Sequence, residues 1–181
     1  MRVTETELEG VLLIEPDVFT DDRGSFFESF NDERFRAETG VERSWAQDNQ
    51  SRSRRGVLRG LHFQNPTPQG KLVRCVAGEI WDVAVDLRRS SPAFGIWFGL
   101  ELSSENYKQL WIPEGFAHGF VTLSHRADVA YKTTAPYLPE GDRAVRWDDP
   151  EIAIEWPIEE PPILSQKDRD APLLADSVTF E

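Results

Sequence analysis

Apolar residues recur in short blocks along this chain, and most blocks have the two-residue period of a strand. In KLVRCVAGEIWDVAVDLR, residues 72–76 and 80–87 alternate or run apolar on either side of Gly78, which predicts two strands joined by a turn. FGIWFGLEL places Ile96, Phe98, Leu100 and Leu102 on one face. GFAHGFVTL does the same for Phe116, His118, Phe120 and Thr122, and DVAYKTT for Val129, Tyr131 and Thr133. Helical spacing stands out once, in SFNDERFRAETG. There Asn31 or Ser29 is a possible N-cap, acidic residues follow in the first turn, and Gly40 is a stop. Many short strands and so little helix predict an antiparallel sandwich or barrel of the jelly-roll class. The proline-rich stretch from DDPEIAIEWPIEEPPILSQKD onward reads as an extended arm packed on the barrel.

The length of 181 residues suits one domain, taken here as residues 1–181, with a core of its own. Six Trp and 11 Phe supply large side chains for a sheet-rich core. Formal net charge is −12, from 32 acidic against 20 basic residues, which argues against general nucleic-acid binding. It leaves room for an anionic small ligand, because a few focused arginines can hold a phosphate. No apolar run approaches membrane-spanning length. MRVTETELEG has no apolar signal core, so the cytoplasm is the expected compartment. The single cysteine, Cys75, reads as a small buried hydrophobe.

Candidate chemistry centres on the three histidines. His125, in SHRAD, reads as a solvated loop residue. His62, in GVLRGLHFQ, and His118 lie among large apolar residues, where an imidazole needs a partner or a task. The segment IPEGFAHGF resembles the second motif of cupin jelly rolls, which delivers a histidine into the barrel mouth. Metal-binding cupins also carry two histidines one residue apart in a first motif. LHFQ offers one, and two scattered histidines do not make a transition-metal site, so no metal is expected. That moves His62 from ligand toward proton transfer.

A base in an apolar pocket needs an orienting partner. Asp168, in LSQKD, is one candidate, although by itself the stretch reads more readily as a surface turn capped by Ser165. Tyr131 is either a proton donor or a core tyrosine. Lys71 is either a solvated strand end or a stabiliser of an enolate oxygen. Arg59 sits within an apolar segment and wants a carboxylate or phosphate. In a regular strand Arg59 and His62 point to opposite faces, so one shared pocket calls for a bulge near Gly60.

Together, DDRGSFFESF, QDNQSRSRRGVLRGLHFQ, QGKLVRCVAGEIWDVAVDLRRSSPAFG, NYKQLWIPEGFAHGF, YKTTAPY and WDDP followed by LSQKD resemble the dTDP-4-dehydrorhamnose 3,5-epimerases, metal-free cupins of deoxysugar biosynthesis. The resemblance runs from about residue 16 to about residue 170 with the motifs in order. It implies a cupin-type all-β jelly-roll barrel with one or two short helices, no cofactor and a dTDP-sugar substrate. His62 is then the base, Asp168 its carboxylate partner and Tyr131 the acid on the opposite face of the sugar. Lys71 and His118 lie beside the reacting carbonyl. Arg23, Glu28, Gln47, Asn49 and Arg59 line the nucleotide and diphosphate side, Tyr137 stacks on the thymine, and Lys167 falls at a binding position. The resemblance also implies a homodimer with exchanged N-terminal strands. A family glutamate appears as Asp142, and a glycine before RW is replaced by Ala144 and Val145. Rival readings are an epimerase acting at one carbon and a non-catalytic nucleotide-sugar binder.

Overall fold

The computed structural model describes residues 1–181. In chain order the strands are β1 (Arg2–Glu5), β2 (Leu12–Glu15), β3 (Val18–Asp21), β4 (Gly24–Phe27), β5 (Gln47–Arg54), β6 (Leu58–Gln64), β7 (Lys71–Ala77), β8 (Glu79–Asp86), β9 (Trp97–Ser103), β10 (Gln109–Ile112), β11 (Phe116–Thr122), β12 (Arg126–Thr133) and β13 (Asp142–Ala144). Helix α1 spans Asp32–Thr39 and α2 spans Gln166–Arg169. One sheet runs β1-β2-β10-β7-β12-β5 and faces a second, β13-β6-β11-β8-β9, while β3 and β4 form a separate ribbon. Every strand pairing is antiparallel. This is the jelly-roll barrel of cupin type.

The alternation read from the sequence places the core. Val73, Cys75, Ile80, Leu102, Ile112, Phe116, Phe120 and Val129 meet between the sheets. Strand β8 is apolar on both sides because both are covered. Its Val83 and Val85 face outward and are buried with Ile152, Leu174 and the half-buried Trp156 of the C-terminal arm. On the other sheet, Phe35 of α1 packs with Ile14, Leu72 and Trp111. Helix α1 starts at Asn31, whose side chain accepts from the Arg34 N–H, and ends on Gly40 in the left-handed conformation. Asn31 rather than Ser29 is therefore the cap.

One element of the alternation fails. Ile96 lies before β9 in the turn closed by its N–H donating to the Ala93 carbonyl, and it is exposed. Only Phe98, Leu100 and Leu102 join the core, because the turn geometry interrupts the period before the strand begins. Cys75 is buried and His125 exposed, as the sequence predicts.

Candidate active site

The cleft opens between β5 of one sheet and β6 of the other. His62, Lys71, Tyr131, Gln47, Asn49, Tyr137, Asp142 and Lys167 all line it, in a volume of about 220 Å³. These eight residues come from seven elements or loops between Gln47 and Lys167, and the jelly roll alone brings them together.

Strand β6 solves the parity problem of Arg59 and His62. His62 pairs with His118 and Arg59 with Phe120, so three steps on β6 match two on β11. One extra residue on β6 is a bulge, and it turns both side chains toward one wall. Gly60 sits in the bulge with φ +129°, and a Cβ there would lie 2.5 Å from the Gly119 Cα. Only glycine meets both demands.

Asp168 is buried, at 2 % exposure, and is no surface turn. Helix α2 folds its carboxylate inward, where Oδ1 meets His62 Nε2 at 2.5 Å and Oδ2 accepts from the Ser165 hydroxyl at 2.7 Å. Ser165 also caps α2 by accepting from the Asp168 N–H. The capping reading and the catalytic-partner reading thus describe one arrangement, which spacing alone cannot reveal. Burial works to raise the Asp168 pKa, but the His62 bond and charge, the Ser165 hydroxyl and the Gly60 N–H outweigh it and hold it below the usual carboxylate range. Burial of the His62 ring pulls its pKa down, the Asp168 bond pushes back, and the Lys167 and Lys71 charges add to the downward pull. The net result lies below the ordinary histidine value. The pair is therefore a neutral imidazole held by an ionised carboxylate near neutral pH, the state a base requires.

Lys71 is not a solvated strand end: it is 6 % exposed. Its Nζ donates to the His62 carbonyl at 3.1 Å, which leaves further N–H donors for a ligand. Burial lowers its pKa to about 8, with the charges of Asp82 and then Asp142 opposing. Tyr131 is half-buried, and burial raises its pKa, which keeps the phenol protonated. Its ring centroid stands 6.4 Å from that of His118. His118 is buried, and its Nε2 meets Asp82 Oδ1 at 2.7 Å.

Along the outer part of the cleft, Gln47 donates to Asn49 at 2.7 Å and accepts from the Tyr137 N–H at 2.9 Å. Asp142 accepts from Lys167 at 2.5 Å and from the Tyr137 hydroxyl at 3.3 Å. The neighbouring Asp142 charge raises the Tyr137 pKa. Arg59 donates to Ser53 at 3.0 Å on the β5 side and has no carboxylate partner.

Arg23 and Glu28 are the exceptions. Arg23 is at the β3–β4 turn, its side chain 89 % exposed and paired with Asp21. Glu28 lies beside Asn31 and Arg34, on a separate pocket of about 260 Å³. Within one chain neither reaches the His62 cleft, because the β3–β4 ribbon pairs with neither sheet.

Sequence reading passed over Asp82 and Gln64. Asp82 is a carboxylate at an inward position of the apolar stretch IWDVAVD, a signal that was available. Gln64 is buried, donates to the Thr67 and Pro136 carbonyls, and accepts from the Leu138 N–H, so it ties down the loop that carries Tyr137. No three His, Cys, Asp or Glu side chains converge in a geometry able to hold a metal ion.

Comparison with known proteins points the same way as the geometry. The family model described as dTDP-4-dehydrorhamnose 3,5-epimerase matches residues 5–176. The chain is similar to dTDP-4-dehydrorhamnose 3,5-epimerases of Pseudomonas aeruginosa, 54 % identical over 99 % of both chains, and of Salmonella typhimurium, 53 % identical over 100 % of both. It also superposes on a dTDP-6-deoxy-D-glucose-3,5-epimerase from Legionella pneumophila, solved in complex with dTDP-4-keto-L-rhamnose. That match has a TM-score of 0.95 and 49 % identity, covering 97 % of this chain and 93 % of that one. In sequence over almost its whole length, and in backbone, this chain belongs to the dTDP-4-dehydrorhamnose 3,5-epimerase family.

Proposed function

We propose that this protein epimerises C3 and C5 of dTDP-4-dehydro-6-deoxy-D-glucose, giving dTDP-4-dehydro-L-rhamnose. The observation that carries the reading is the His62–Asp168 pair facing the same cleft as Tyr131 and Lys71. The C4 ketone acidifies the protons at C3 and C5. Neutral His62 takes one of them, the C–H electron pair moves onto O4 as an enolate, and Asp168 stabilises the imidazolium formed. Lys71 supplies donors to that oxygen, with His118 beside it, and this is where preorganised charge lowers the barrier most. Tyr131 returns a proton to the carbon from the other face; solvent then takes the proton from the His62 imidazolium and reprotonates the Tyr131 phenolate, and repetition at the second carbon completes the change. Acid and base groups of this kind each contribute roughly 10²–10⁴-fold. The electrons rest on the substrate's own carbonyl, so the sequence demands no cofactor.

Arg59, Gln47 and Asn49 serve the diphosphate and nucleotide side, with Tyr137 against the thymine and Asp142 and Lys167 at the rim. Arg23 and Glu28 take part from a second copy. We infer a homodimer in which the β3–β4 ribbon is laid against the partner's cleft. The directly opposed Phe19 and Phe26, both strongly exposed, support this. No helix is long and apolar enough to cross a membrane, and cytoplasmic residence fits a nucleotide-sugar substrate.

Incubation with dTDP-4-dehydro-6-deoxy-D-glucose in heavy water, read by NMR, tests the reading. Deuterium at both C3 and C5 is expected. Label at one carbon selects the single-carbon rival, and label at neither selects the non-catalytic binder. His62→Ala abolishes exchange while leaving dTDP binding nearly intact; lost binding with retained exchange overturns the assigned role.

A further inference from the structure

Asp82 is a buried carboxylate of the barrel interior that the proposed steps leave without a task. It is wholly buried, at 0 % exposure, on the inner face of β8. Its Oδ1 meets His118 Nε2 at 2.7 Å, while its Oδ2 is buried without a partner. An unsatisfied oxygen on a buried carboxylate costs stability, because its desolvation is not offset by a hydrogen bond. The other fully enclosed carboxylate on β8, Asp86, is by contrast satisfied on both oxygens by Arg88 and Ser91. A buried charge left half-paired beside a catalytic cleft is the pattern of a functional group, not of a packing element.

We propose that Asp82 is a positioning residue for the epimerisation: one oxygen fixes the ring of His118, and its charge, buried in the barrel interior behind that ring, acts on the Lys71 ammonium set against the enolate. This rests on the epimerase reading above. Binding the sugar expels water from around Lys71, whose only protein hydrogen bond is to a neutral carbonyl. An ammonium in that setting tends to lose its proton, and a nearby fixed negative charge opposes the loss. Lys71 is faced by Asp82 from β8, Asp142 from β13, Lys167 from α2, His62 from β6 and Tyr131 from β12. Asp142 is already paired with Lys167 at the rim, so Asp82 is the carboxylate left to serve Lys71. Among charged neighbours it is also the largest influence sustaining the ammonium. The half-satisfied state of Asp82 follows: a second strong partner would neutralise the field that Lys71 needs.

The variant Asp82→Asn keeps a hydrogen-bond acceptor for His118 and removes the charge. Its pH profile of kcat/KM, its dTDP affinity and its solvent exchange at C3 and C5 are measured beside the parent. The expected result is an alkaline limb moved below the parent's position near pH 8, a fall in kcat at pH 8 on the order of tenfold or more, and dTDP affinity within about twofold. Partial recovery toward pH 6.5 accompanies it, because the depressed His62 remains an available base there. A limb that does not move overturns the proposal, as does a loss confined to dTDP affinity. If Asp82→Asn fails to fold, His118→Gln is compared with His118→Gln/Asp82→Asn. The double variant must show the lower alkaline limb, and coincident limbs overturn the proposal. A parent without exchange at either carbon refutes the epimerase reading itself, and the two failures are thereby distinct.

Discussion

Replacing Gly60 by alanine tests whether the β6 bulge is what makes the site. The added Cβ would lie 2.5 Å from the Gly119 Cα and 2.9 Å from the His118 carbonyl oxygen. Both contacts are backbone, so no rotamer change relieves them. Ordinary contact begins at about 3.4 Å, so β6 and β11 must part by ~0.9 Å. The residue must also hold φ +129°, a conformation costing a side-chain-bearing residue on the order of 1–3 kcal/mol. His62 stands two residues further along the same strand and shares the displacement. A misplacement of about 1 Å in a catalytic group costs roughly 10²-fold in rate, or about 2.7 kcal/mol of barrier. The strain lowers Tm by roughly 2–12 °C for a domain of this size. Steady-state turnover, the exchange rate at C3 and C5 and a thermal melt read the three quantities. Turnover within about threefold of the parent, with Tm within about 1 °C, refutes the reasoning, since the bulge would then tolerate a side chain and impose nothing on His62.

Asp168→Asn keeps the shape of the partner and removes its charge, so kcat falls on the order of 10²–10⁴-fold while dTDP binding, measured by calorimetry, is nearly unchanged. The pH profile of kcat/KM is a bell. His62 must be neutral to accept a proton, so activity falls as pH drops through its depressed pKa, below the ordinary histidine value. Lys71 must be protonated, so activity falls again as pH rises through about 8; a flat profile from pH 7 to 10 contradicts that role. Arg23→Ala raises KM with little effect on kcat, although Arg23 lies outside the cleft of its own chain. Mixed dimers of Arg23→Ala with His62→Ala regain parental KM at the one intact site, and failure to do so counts against the shared-site dimer.

Much of the architecture was legible because barrel strands turn alternate side chains into the barrel, and that period of two survives in KLVRCVA, GFAHGFVTL and DVAYKTT whatever the fold's connectivity. Ile96 misled because a turn shares its composition with the strand that follows. The caps of α1 were legible because they are local: Asn31 and Gly40 each act within four residues. Asp168 and Lys71 are the instructive failures of spacing alone. A polar residue next to a proline-rich turn or at a strand end is solvated in most folds, and its burial depends on what lies above it. The motif resemblance placed both in the site because it carries that tertiary information in compressed form. Arg23 and Glu28 show the converse, since the resemblance puts them at the nucleotide and one chain does not.

By itself the sequence determined the local terms: strand periodicity, the α1 caps, the absence of paired metal-ligand spacing, and a glycine in the one place where Arg59 and His62 need their parity broken. Tertiary structure decided everything that depends on distance through space. It put Asp168 at 2.5 Å from a histidine 106 residues away, buried Lys71 so that its pKa falls to about 8, and bonded Asp82 to His118. The physical reason is that periodicity and capping are short-range steric and hydrogen-bond effects written within a few residues. Burial and pKa, by contrast, come from desolvation and charge over several ångströms, and these exist only once the two sheets close on each other.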